Sequence, residues 1–415
     1  MFKYRTLLST PAPTLYGMSV FLRADTNTPL TASHTIADTT RLDAVLPSLT
    51  HLLSGGARVT LASHLGRPTS LPDGGGEDPT DDPSSSMRVI ADALADSLGP
   101  ESVVFARSSS CVSETAGRVR DALAPGTLCV VENTRFHAGE TANDPEFARN
   151  LARGSDLMVA DAFGVAHRAH ASNVGVAKHV RSVVAGACMD AELKALYPLL
   201  HGPDKPFAAV LGGAKVSSKL PLLSTLLPKL DTICIGGAMA FTLLKATGVD
   251  VGASMVEDDL VSVAGDVLEE AQDAGVDVLL PLDLVVAKDP EATKAEAVVT
   301  IEEGVPEGWC ALDIGPKTLH AFGAALGPAK TVFWNGPMGR FEVPAFAQGT
   351  HGMASLLADK RHTNGFTVVG GGDSVSAVTM ADLTEFFSHV STGGGASMEL
   401  LEGKTLPGVA ILHSE

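Results

Sequence analysis

AVLGGAKVSSK (209–219) joins a short apolar run to two glycines and two lysines, and it decides how the rest of the chain is read. The run AVL has the length and apolarity of a buried strand. Gly212 and Gly213 let backbone amides approach a ligand closely, and a helix expected just after them presents its N-terminal dipole to an anion. In that helix Lys215 and Lys219, at i and i+4, share one face. The stretch is not a Walker A loop, which needs GxxxxGK[ST], but two ammonium groups in line suit a polyphosphate.

The same ending recurs outward from it. ICIGGAMAF (233–241), VFWNGPMG (332–339) and TVVGGGDS (367–374) also close strand-like runs with glycine. In GGGDS, Ser374 falls near a helix start and Asp373 suits a Mg²⁺ bridging phosphates. STGGGASMELLEG (391–403) repeats the pattern. WNGPMGRFE (334–342) supplies Asn335 and Glu342, the latter an acceptor for ribose hydroxyls.

In the first half the endings change type. VFLRADTN (20–27), TLASHLGR (60–67), CVVENTR (129–135) and MVADAFGVAHRAH (158–170) close on Arg and His. Arg23, Asp25 and Asn27 are two apart, so in extended backbone they point the same way. His64 and Arg67 lie past a second strand, with Gly66 and Pro68 forcing a turn. Arg135 follows a third strand, Arg168 a fourth, and Arg41 lies in a polar stretch after the first. Together these residues suit a small hydroxylated anion. His167 and His170 have i, i+3 spacing, but no third metal-ligand motif stands nearby.

Strand-like runs alternate with helix-like ones throughout, as in LDTICIG (230–236) before AMAFTLLKATG (238–248) and GVDVLLPLD (275–283) after LVSVAGDVLEEAQDAG (260–275). The alternation predicts an α/β fold with parallel sheets covered on both faces. Ligands of such sheets lie at the carboxyl ends of strands. Two kinds of ending therefore predict two sheets with two ligands.

Composition agrees. The chain has 415 residues, 45% of them hydrophobic, enough for two domains by the prior of roughly 150 residues each. Fourteen of 16 arginines fall in 1–200 and 11 of 14 lysines in 201–415; Arg suits bidentate anion recognition and Lys acts as a point charge. A net charge of −18 argues against nucleic acid and anionic membranes as partners. Five cysteines without CxxC spacing, no apolar leader and no run near the ~18 residues of a membrane span predict a soluble, cytoplasmic protein. TSLPDGGGEDPTDDPSSS (69–86) reads as an exposed acidic loop. MDAELKALYPLLHGPDKP (189–206) reads as a helix ending in a Gly-Pro breaker and as the domain connector.

SHLGRP, ENTRFH, DAFGVAHRAH, GGAKVSSK, WNGPMGRFE, GGGDS and STGGGASMELLEG stand in the order found in phosphoglycerate kinases, a family this chain resembles nearly end to end. The resemblance implies two Rossmann-like domains with mainly parallel sheets, facing each other across a cleft and joined by a hinge helix. Residues 1–188 and 404–415 would bind 3-phosphoglycerate or 1,3-bisphosphoglycerate. Residues 189–403, hinge helix included, would bind MgADP or MgATP, and the C-terminal tail would return to the N-terminal domain. Position by position it implies glycerate contacts from Arg23, Asp25, Thr26, Asn27, Arg41, His64, Leu65, Gly66, Arg67, Arg135 and Arg168. Nucleotide contacts would come from Gly212, Gly213, Lys215, Lys219, Gly237, Asn335, Glu342, Gly371, Gly372, Asp373 and Ser374, with Asp373 on the Mg²⁺. Arg41, Lys215, Lys219 and Gly372 would serve the transfer itself. The family habit implies a monomer. Departures from the pattern are Ser218, Ala238, Arg340, the polar run RADTNTP and the long acidic loop. They motivate a second reading, a non-catalytic metabolite-binding or regulatory descendant.

Overall fold

The computed structural model describes residues 3–68, 84–108, 110–360 and 365–413. The chain divides into two compact units. One comprises Met1–Leu193 with Thr405–Glu415, the other Lys194–Lys404. The division falls inside a helix, Ala187–His201, which continues through Pro198 and stops at the Gly202–Pro203 breaker. Most of the acidic stretch, residues 69–83, lies outside the described residues.

The described residues of the first unit form six strands: β1 Ser19–Ala24, β2 Arg58–Ala62, β3 Val103–Phe105, β4 Thr127–Val130, β5 Leu157–Asp161 and β6 Ser182–Ala185. Their order is β3-β4-β2-β1-β5-β6, and every pairing is parallel. β1 and β5 lie inside the sheet and read as near-continuous apolar runs because both faces are covered. Leu22, Leu49, Leu61, Ile90 and Val159 belong to the core between β1, β2, β5 and the helices Thr40–Ser54 and Arg88–Leu98. The C-terminal tail belongs to this unit: the Gly408 amide donates to the Ala166 carbonyl (2.7 Å), and His413 bridges to Tyr4.

The described residues of the second unit form nine strands: β7 Phe207–Leu211, β8 Thr232–Ile235, β9 Asp277–Leu279, β10 Asp283–Ala287, β11 Ala297–Thr300, β12 Cys310–Ile314, β13 Thr331–Asn335, β14 Phe366–Gly370 and β15 His389–Val390. Six form a second all-parallel sheet, β15-β14-β13-β7-β8-β9. The remaining three form an antiparallel sheet, β11-β10-β12, which the βαβ pattern did not anticipate. Trp334, Phe322 and Met353 are fully buried in the core of the large sheet.

Both units therefore present strand carboxyl ends in register. In the first, Arg23 of β1 lies beside Ala62 and Ala160; in the second, Asn335 of β13 lies between Leu211 and Gly370. Cys129 and Cys234 are buried on strands as expected, and burial pushes their thiols up to about 12. None of the five cysteines forms a disulfide.

Candidate functional site

In the first unit the strand ends converge on a buried cation. Arg23 is 1% exposed. Its Nε donates to Ser172 Oγ at 2.7 Å, and its Nη1 donates to the Ala24 carbonyl. Ser172 in turn donates its amide (2.9 Å) and hydroxyl (2.5 Å) to Glu140, a fully buried carboxylate on the short helix Ala138–Thr141. Burial pulls the Arg23 pKa down, and the charges of Glu140 and Asp25 oppose that loss. Glu140 is thus the buried counter-charge of the site. It sits in the polar run HAGETAND and carried no signal in one dimension.

His64 Nδ1 lies 3.3 Å from Arg23 Nη2. A guanidinium only donates, so Nδ1 accepts, and the ring is neutral with its proton on Nε2. Burial, then the charges of Arg23, Arg135 and Arg41, hold the His64 pKa well below the usual value.

Around this centre the loops knit together. Asp25 pairs with Arg41 at 2.8 Å and accepts the Asn27 amide. Asn27 accepts the Gly66 amide at 2.7 Å, and Arg135 Nη1 donates to the Gly66 carbonyl at 2.9 Å. Gly66 has φ +64°, the left-handed turn that favours glycine. Arg41 stands in the first turn of helix Thr40–Ser54. Thr26 and Leu65 are buried; the Thr26 amide donates to Ser63 Oγ, and the Leu65 carbonyl accepts from Asn133. Arg67 and Arg168 are exposed, on loops close enough for their charges to depress Arg135 and His170 respectively. Like charges drawn together in this way are repulsive until an anion joins them.

The second unit's site is made by backbone. The Gly213 amide donates to the Pro337 carbonyl and the Gly237 amide to the Met338 carbonyl, at 2.9 and 3.0 Å. A Cβ on Gly212 would meet Pro337 O at 2.2 Å, and one on Gly237 would meet the Gly213 amide nitrogen at 2.5 Å. The loops after β7, β8 and β13 therefore touch main chain to main chain. Beside them opens a pocket of about 560 Å3 lined by Gly213, Gly237, Phe241, Leu312, Met338 and Glu342. That volume lies in the roughly 300–1,000 Å3 range of small-molecule sites. Asp373 and Arg340 also line it, Arg340 with its guanidinium bound to Glu291 (2.8 Å) and to the Pro290 carbonyl.

One expectation fails here. The helix after Gly213 starts only at Leu220, so Lys215 and Lys219 do not share a helical face. Residues 213–219 form bends and turns instead, and Lys219 is the residue before the helix. Pro221 was the available signal, since proline favours a first helical turn. Glu257 holds this loop by accepting the Ser217 amide (3.0 Å) and hydroxyl (2.6 Å). Partial burial works against the Glu257 carboxylate, but the Ser217 bonds and the Lys215 charge leave its pKa below the usual range.

Lys219 Nζ donates to Asn335 Oδ1, and Asn335 Nδ2 donates to the Gly370 carbonyl at 2.6 Å. Burial lowers the Lys219 pKa, while Asp373 and then Glu402 oppose the shift. Gly371 (φ +90°) lies so close to Asn335 that a Cβ would fall 2.4 Å from its amide nitrogen. Helix Gly372–Met380 follows, with Asp373 exposed in its first turn. Ser374 is fully buried, and its Oγ accepts the Gly336 amide at 2.5 Å, tying the β13 and β14 loops together. Phe241, Leu312 and Met338 were missed because apolar pocket walls look like core in sequence.

A cluster of cations at the strand ends of one unit and a glycine-lined pocket with carboxylates in the other suit a two-unit α/β enzyme of phosphoryl-transfer type. Comparison with known proteins narrows this. Residues 12–404 match the family described as Phosphoglycerate kinase. The chain is 46% identical to the cytosolic phosphoglycerate kinase of Triticum aestivum over 398 residues, covering 96% of each. It is also 46% identical to the phosphoglycerate kinase of Acaryochloris marina, over 98% of each. The phosphoglycerate kinase structure from Coxiella burnetii superposes with a TM-score of 0.87 at 34% identity, covering 99% of both chains. The chain belongs to the phosphoglycerate kinase family.

Proposed function

We propose that this chain catalyses reversible phosphoryl transfer between 1,3-bisphosphoglycerate and ADP on one side and 3-phosphoglycerate and ATP on the other. The observation that carries the reading is the convergence of Arg23, Arg41, Arg67, Arg135 and Arg168 on one set of strand ends, with Glu140 balancing the buried member.

In the direction of ATP formation, the bond between the acyl-phosphate phosphorus and the carboxyl oxygen breaks as a terminal oxygen of ADP bonds to that phosphorus. The leaving carboxylate is a stable anion, and in reverse it attacks already ionised, so no general base is required. Catalysis then consists of positioning and charge neutralisation of a metaphosphate-like transition state. Arg23, Asp25, Asn27, Arg41, His64 and Arg135 hold the glycerate acid, and Arg168 and Arg67 hold its phosphate. Gly212, Gly213 and Gly237 open the nucleotide pocket, with Glu342 at the ribose and Lys219 at the phosphates. Arg41 and Lys215 stabilise the group in flight.

Mg²⁺ fits this site. No group of three or more metal-ligating side chains occurs among the described residues, and Asp373 is an exposed carboxylate on the pocket wall. One carboxylate plus substrate phosphates is the usual way Mg²⁺ is held. Asp373 would help hold the ion, which would supply charge neutralisation at the phosphates. Five cysteines without a disulfide favour a reducing compartment such as the cytoplasm, and no described helix is long and apolar enough to cross a membrane.

The test is a coupled assay of ATP-dependent 3-phosphoglycerate phosphorylation. Mg²⁺-dependent turnover that disappears in Lys215→Ala and Arg41→Ala is the expected result. Nucleotide binding without turnover in the folded parent protein would favour the regulatory reading.

A further inference from the structure

The first unit has a second cluster of arginines, at the other end of its sheet. A pocket of about 210 Å3 lies at the amino ends of β1 and β2, lined by Arg58, Arg120, Arg153, Ser19, Ser155 and Asp121. Ser19 is four residues before Arg23, roughly 13 Å along the strand at about 3.3 Å per residue. The pocket therefore stands apart from the strand ends proposed to hold the glycerate substrate.

The three guanidiniums come from three elements: Arg58 opens β2, Arg120 ends helix Glu114–Asp121, and Arg153 follows helix Pro145–Ala152. Each has a limited structural role. Arg58 Nε donates to the Gly17 carbonyl at 3.1 Å. Arg120 Nη2 donates to the carbonyls of Leu151 (2.9 Å) and Arg153 (2.7 Å), closing the end of the second helix. That closure takes one nitrogen of one arginine. Among the described residues no carboxylate oxygen lies within ion-pair distance of any of the three. In a chain of net charge −18, three unpaired guanidiniums around one polar pocket are not a solvated acidic surface. Burial lowers the Arg120 pKa; Cys129, Cys111 and the Asp121 charge oppose the shift, and the Arg153 charge adds to it.

We propose that this pocket is a second anion site, taking a small phosphate dianion through Arg58, Arg120 and Arg153. Its volume is below the roughly 300–1,000 Å3 of sites for drug-sized ligands, which excludes a whole nucleotide. Hydroxyls of Ser19 and Ser155 are available to phosphate oxygens, and Asp121 on the wall suits a hydroxyl of a phosphate monoester.

The test is a titration of inorganic phosphate into the ¹⁵N-labelled full-length protein, following the amides of Ser19, Gly154 and Ser155. A local readout keeps this site separate from the proposed catalytic one, whose failure would leave these shifts untouched. Saturable shifts are expected, weakened tenfold or more in the Arg58→Gln/Arg153→Gln double variant. Because Arg153 is exposed, Arg153→Gln alone serves if the double variant does not fold, with several-fold weakening expected. A parallel titration with glycerol phosphate separates the sources: tighter binding assigns a hydroxylated monoester, equal binding the inorganic ion. Absence of saturable shifts, equal shifts from potassium chloride at matched ionic strength, or unchanged binding in the Arg variants would overturn the proposal.

Discussion

On the proposed reading, the two units hold phosphate in opposite ways on the same scaffold. Each has a six-stranded parallel sheet with ligand loops at its strand ends. In the first, side chains make the site, and a cation as deep as Arg23 needs Ser172 and Glu140 beneath it. In the second, the absence of side chains makes the site: Gly212, Gly237 and Gly371 each sit where a Cβ would strike main chain or Asn335. One site is set by charge balance, the other by backbone proximity. Substitutions should therefore fail differently in the two halves.

The largest effect is expected at Lys215. It is exposed, with its charge felt by Glu257, so its removal should leave the fold intact. Lys215→Ala is expected to lower kcat by roughly 100- to 1,000-fold, the usual cost of losing one transition-state charge partner, with the thermal midpoint unchanged.

In the first unit the counterpart is structural. Glu140→Gln removes the buried charge that balances Arg23. By analogy with breaking buried pairs, a loss of about 3 kcal/mol is expected in chemical denaturation. A stability change near zero would show that Arg23 does not depend on Glu140.

The third expectation concerns pH. The folded-state pKa of His64 lies well below 6.5. The unfolded chain thus binds a proton that the folded one refuses as pH falls from 6.5 toward that lower value. The His64 contribution is fully present above 6.5 and is lost through that window. An NMR titration should find the His64 ring still neutral at pH 6, and a charged ring there would contradict the assigned tautomer.

The smallest effect is expected at Arg340. Its pair with Glu291 is largely exposed, at 32% and 80%, and such pairs contribute about 0.2–1 kcal/mol. Arg340→Val should shift the KM for ATP by less than about tenfold on that scale. A larger change would make this departure from the family pattern part of the nucleotide site.

How much of this was legible in sequence differs between the halves. Strand ends were readable in both, because short apolar runs closing on Arg, His or Gly are local signals. The family resemblance supplied roles for residues such as Thr26 and Gly372 that no spacing would have singled out. Glu140 was illegible because its partner is 117 positions away in the chain, and a Glu in a polar run looks solvated. The shared helical face of Lys215 and Lys219 was misread because the spacing was weighed and Pro221 was not. The β11-β10-β12 sheet was missed because antiparallel pairing across long loops leaves no βαβ alternation.

The central claim is that acid substrate and nucleotide are held by different units, through charges in one and backbone in the other. Calorimetric titration of 3-phosphoglycerate and of MgADP into Arg41→Ala and Lys219→Ala tests it crosswise. Arg41→Ala is expected to weaken only 3-phosphoglycerate and Lys219→Ala only MgADP. Loss of both ligands in either variant, or the reverse pairing, would contradict it.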